Sequence, residues 1–166
     1  MARMIDGLQI CAGFDPVNMA TAANSGDWVS LKDSASCLVV FYKGAGTAGD
    51  DPTLTLEQAT AAAGTGAKAL NFTRIYHKQG TLTSVAQFTE VTQAAANTYT
   101  DATSAEIAAI WAVEVKADEL DVGGGFYFIR ASVADIGANA QLGAVLYILG
   151  KPRYGNAPAS LPTAIA

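Results

Sequence analysis

FYKGAGTAGDDPTLTLEQ, residues 41–58, is the stretch on which the reading of the whole chain turns. Gly44, Gly46 and Gly49 have the spacing G-x-G-x-x-G and directly follow an apolar run. In a dinucleotide-binding unit the third glycine opens a helix, whose N-terminal N–H groups hold a pyrophosphate. Here Gly49 leads instead into Asp50, Asp51 and Pro52, and then into TLTLE, where Leu54 and Leu56 alternate with threonines as in a strand. Two carboxylates would also stand where the pyrophosphate belongs, and like charges repel at that range. No G-K-[ST] follows, so the P-loop form fails as well. The stretch is therefore expected to be a hairpin loop between two strands, with no nucleotide site.

The same texture extends outward. WVSL, CLVVFYK, TLTLEQA, AKALNFTRIY, FTEVTQ, IAAIWAVEV, FYFIRASV and LGAVLYIL are short apolar or alternating runs separated by Gly, Asp, Asn and Pro. Such spacing points to an all-β sandwich or barrel. Ile107, Ala109, Trp111, Val113 and Val115 share one side of their run and are assigned to the core, with Glu114 and Lys116 opposite. Ile107, Ile110 and Trp111 also fit a helical stripe, so alternation alone leaves that run open. Tyr127, Ile129, Ala131 and Val133 alternate in the same way with Phe128, Arg130, Ser132 and Ala134. CLVVFY is apolar on both faces, as in a central strand covered on both sides, and an arm, a loop or another subunit must supply the outer cover. EQATAAAG and SVAQFTEVTQAAAN are rich in helix formers, and Val85, Phe88 and Thr92 could line a short helix, but strand or loop is the reading adopted.

These runs place a β-sandwich domain at 27–155. Residues 1–26 show little periodicity and read as an extended N-terminal arm. Its Phe14, Pro16 and Val17 are too sparse to form a core of their own and must dock on the parent domain or on a neighbouring subunit. Residues 156–166, with Pro158 and Pro162, read as an extended C-terminal tail.

The 166 residues suffice for one core, and only 15% are charged, well below the usual quarter or so. A surface rich in Ala, Gly and Thr suits a subunit packed against neighbours. The net charge of −5 argues against nucleic acid as a partner, since that needs clustered Lys and Arg to displace counterions. The longest apolar-rich runs fall short of the roughly 20 residues a spanning helix needs, and the first residues lack a signal-peptide pattern, so no membrane association is expected. Cys11 and Cys37 lack zinc or redox spacing and read as free buried thiols.

No residue pattern marks an enzyme, cofactor or metal centre. The single histidine, His77, in RIYHKQG, reads as a surface residue without a nucleophile motif beside it. Asp50 and Asp51, and the cluster Asp118, Glu119 and Asp121 before three glycines, lack calcium-loop spacing and read as solvated turns. Asn71-Phe72-Thr73 matches the glycosylation formula by chance.

VSLKDSASCLVVFYKGAGTAGDDPTLTLEQATAAAGTGAKALNFTRIY, QLGAVLYILGKPRYG and the earlier GFDPV resemble small virion structural proteins of tailed bacteriophages, encoded near the major capsid protein. The resemblance implies a non-enzymatic, jelly-roll-like β-sandwich acting as a capsid decoration or cement protein on the capsid surface of the virion, after synthesis in the host cytoplasm. It implies the major capsid protein as partner. A homotrimer would match local threefold axes of a shell, and Phe14, Pro16, Val17 and Tyr154 are the candidate contacts. The alternatives are a tail or head-tail connector subunit, and a carbohydrate- or cell-surface-binding module using Tyr76, Tyr99 and Tyr127.

Overall fold

A computed structural model describes residues 3, 5–80, 82, 87–102, 107–153 and 165. The short alternating runs become strands in chain order: β1 (Leu8–Asn18), β2 (Asn24–Ser25), β3 (Val29–Ser30), β4 (Ser34–Lys43), β5 (Thr53–Ala59) and β6 (Lys68–Ala69). There follow β7 (Phe72–Gln79), β8 (Thr89–Ala96), β9 (Thr98–Thr100), β10 (Ala109–Lys116), β11 (Phe128–Val133) and β12 (Leu142–Pro152). Two 3₁₀ turns, Ala117–Glu119 and Val122–Gly124, join β10 to β11.

The strands form two antiparallel sheets. The first has the order β1-β12-β4-β10-β7-β8, and the second β2-β11-β5-β6, with β3 also on β11 and β9 also on β5. The protein is an all-β sandwich. Its core combines Val39, Phe41, Trp111, Val113, Val145 and Tyr147 of the first sheet with Leu54, Leu56, Tyr99, Ile129, Ala131 and Val133 of the second. Trp111 is fully buried. Its ring centroid lies 5.2 Å from that of Phe41 and 4.8 Å edge-on from that of Tyr99, so it fastens the two sheets together. On the expected side of β10, Ala109, Trp111, Val113 and Val115 are buried while Glu114 and Lys116 are exposed, which settles the open choice at Ile107–Leu120 for a strand.

Polar ties complete the frame. The buried Tyr147 hydroxyl accepts a hydrogen bond from the Ala131 N–H at 2.8 Å and donates to the Asp27 carbonyl at 3.1 Å, linking β12 to the facing sheet. Lys43 also points inward on β4 and is fully buried, its ammonium donating to the Ile107 carbonyl at 2.6 Å. Cys11 and Cys37 are free, with Cys37 buried and Cys11 half-buried.

Three expectations change in detail. The stretch 44–52 joins strands, yet β4 and β5 lie in different sheets, so it is a crossing between sheets and not a hairpin. Alternation identifies a strand but carries no information on which sheet it joins. Asp50 in that crossing accepts hydrogen bonds from the backbone and side-chain amides of Asn139, so it ties two loops together where a solvated turn was expected. His77 lies on β7 directly opposite Trp111, and its ring is largely shielded, near the Tyr99 hydroxyl (3.5 Å) and Asp101 (3.7 Å). The inward parity of β7, invisible without its register, takes His77 from the surface.

Residues 8–18, expected within an arm, lie along β12 as the edge strand of the first sheet. The region SVAQFTEVTQAAAN contributes β8, while Val85 lies outside the described residues. In the tail, Ile165 forms a bridge with Val29 and packs against the core.

Candidate interaction surface

The candidate site is the outer face of the first sheet, and strand register builds it. Residues paired across antiparallel strands project on the same side, so the rows of the face can be read from the pairing. One row runs Ile10, Ile148, Leu38 and Glu114; the next runs Ala12, Leu146, Val40, Ala112 and Tyr76; the third runs Ala144, Tyr42, Ile110 and Lys78. The β1-β12-β4 half of this face is thus apolar, and charge begins at β10 and β7.

This face is open. Ile10 is 53% exposed, Tyr42 53% and Leu146 41%. Single exposed apolar side chains are ordinary, but a contiguous set rimmed by charge marks a contact surface. Of the three covers considered for CLVVFY, the N-terminal segment is placed beside the face as β1 and widens it. Burying Ile10, Tyr42 and Leu146 against a partner would contribute at most about 1.5–3 kcal/mol each, less for the part already covered.

The outer face of the second sheet is finished differently. The Arg130 guanidinium lies 4.7 Å over the Trp28 ring and is paired to Glu57 at 2.6 Å. The turn at Gly64 fits against the Trp28 indole so closely that a Cβ there would lie 2.8 Å from Nε1. Lys68 covers the Phe126 ring at 3.9 Å and pairs with Asp121 at 2.6 Å. Asp121 also accepts from the Gly124 N–H and so caps a turn, and this lysine and that N–H hold its carboxyl below its ordinary range. Here the chain covers its own aromatic rings, and among the described residues only the first sheet leaves its face bare.

Of the sequence candidates, Phe14 and Val17 are half-buried and pack against the core, and Pro16 is exposed on the same strand. Tyr154 lies outside the described residues. Tyr76 is on the open face, Tyr99 is buried under Trp111, and Tyr127 lies beside Lys32, so the three tyrosines do not share a platform for a sugar. Ile10, Leu146 and Ile148 were missed as a group. The available signal was that LGAVLYIL, like CLVVFY, is apolar at both parities. Compared with protein-family models, with curated proteins and with solved structures, the chain matches none.

Proposed function

We propose that this chain is a structural protein of a tailed-bacteriophage virion, a capsid decoration or cement protein that binds the outside of the shell and strengthens contacts between capsomers. The observation that carries the reading is the open apolar face of the β1-β12-β4-β10 sheet, on a molecule whose other face is closed by its own side chains. A surface of that kind serves association. The sequence resemblance supplies the setting, with the major capsid protein as partner and a homotrimer as the assembled form. Multivalent attachment across a seam turns modest contacts into a firm clamp.

Strand order supports the finer architecture. The proposed finer form is an eight-stranded jelly roll, supported by the pairing β1-β12-β4-β10 in one sheet and β2/β3-β11-β5-β9 in the other, with the β7-β8 hairpin added at one edge. Pro16 and Tyr154 remain the proposed end contacts, joined now by Ile10, Tyr42 and Leu146, while Phe14 and Val17 are engaged with the chain's own core.

The test is the copy number of this chain relative to the major capsid protein in purified virions, by quantitative mass spectrometry. A ratio near one supports a lattice-wide cement protein. A ratio of a few per cent moves the chain to a connector or tail ring, and absence from virions overturns the reading.

A further inference from the structure

At one end of the sandwich the β3-β4 connection, the β10-β11 connection and the end of β12 enclose a groove of about 400 Å³. Leu31, Leu120 and Val122 form its apolar floor, and Lys32, Tyr127 and Arg153 stand around it. Lys32 lies 5.3 Å over the Tyr127 ring. Arg153 also borders an adjoining hollow of about 290 Å³, where Lys116 and Lys151 face the single carboxylate of Asp118. The backbone fixes the groove firmly: the Leu31 N–H donates to the Tyr127 carbonyl, and the Arg153 N–H to the Asp33 carbonyl, both at 2.8 Å.

Charge identifies what fits. In a chain of net charge −5, these four cations converge at one place, and among the described residues none of their side chains makes an ion pair. Lys151 is moreover the one non-glycine at positive φ among the described residues (55°), a conformation that favours glycine. Nucleic acid is disfavoured because the groove has an apolar floor and few cations around it, whereas a phosphate backbone needs an extended run of Lys and Arg.

We propose that this groove binds an acidic peptide segment of a partner protein, carrying one large apolar side chain between its carboxylates. The apolar side chain seats on Leu31, Leu120 and Val122. The carboxylates meet Arg153, whose planar fork accepts them in pairs, with Lys151, Lys116 and Lys32 as neighbouring point charges. This site lies apart from the open sheet face, and its assignment does not rest on the virion reading.

The experiment is fluorescence anisotropy on the full chain with a labelled nonapeptide holding four Asp or Glu around a single Phe. Saturable binding that weakens with salt, and falls about tenfold or more in Arg153→Glu and in Lys151→Glu, is the expected result. Replacing the peptide's Phe by Ala is expected to weaken binding by a similar factor. Both arginine and lysine side chains are exposed, so the variants should keep the parent's melting temperature, and that is checked alongside. No saturable binding up to about 1 mM, or equal affinity for the reversed-charge variants, overturns the proposal. So does an oligothymidylate that binds as tightly as the peptide, or an Ala peptide that binds as well as the Phe one.

Discussion

Trp111 shows how much a single side chain decides. Its fully buried ring touches both sheets through Phe41 and Tyr99. Trp111→Ala is expected to destabilise the protein by about 3–5 kcal/mol, measured by urea unfolding. Tyr147→Phe removes one oxygen yet leaves the buried Ala131 N–H without an acceptor, an effect of about 1–3 kcal/mol in the same measurement. Cys37 gives a pH signature. Burial, and secondarily Cys11, push its thiol well above the ordinary value, so the folded chain retains a proton that the unfolded chain releases. The associated stability is complete below the unfolded thiol's pKa of about 8.5 and is lost as pH rises above it, with a slope approaching about 1.4 kcal/mol per unit. Urea midpoints between pH 8 and 10 should therefore fall less steeply in Cys37→Ala than in the parent. An equal slope would contradict the burial.

At the scale of elements, β1 is the informative one. It is irregular in sequence because it is an edge strand with register shifts between Ala12 and Phe14 and between Phe14 and Val17, which destroy strict alternation. These bulges, together with Pro16, also discourage another strand from adding to that edge. Yet β1 pairs along most of β12 and covers the core through Cys11, Phe14 and Val17. Removing residues 1–19 is expected to abolish cooperative unfolding and soluble expression, because it bares the edge of β12. A truncated chain with a sharp thermal transition would show that the remaining strands close the core without it. Gly26 illustrates the tolerance between elements: a Cβ there would meet the Ala131 carbonyl at 2.7 Å and the Tyr147 hydroxyl at 2.8 Å. Gly26→Ala should lower stability by about 1–3 kcal/mol through backbone displacement.

At the scale of the molecule, one sheet face is closed and the other is bare among the described residues. Placing charge on the bare face separates folding from association. The double variant Tyr42→Glu with Leu146→Glu alters two exposed side chains, 53% and 41% open, so the melting temperature should change little. The proposed self-association, read by light scattering, and the proposed binding to capsids lacking this chain should both be lost, since each interface would have to bury two unpaired carboxylates. Retention of both would move the contact surface elsewhere.

The sequence by itself determined that this is a β-protein, that the glycine-rich stretch 44–52 is a strand connection, and that one side of β10 lines the core. Those features rest on a two-residue period and on local turn chemistry, which neighbours along the chain report. The tertiary structure alone decided that β4 and β5 lie in different sheets, that residues 8–18 join the edge of β12, and that His77 and Lys43 turn inward. It also decided which doubly apolar strands stand side by side to make one open face, and that Leu120, Tyr127 and Arg153 gather around Leu31. Pairing between strands far apart in sequence sets each of these, and no local period encodes a partner.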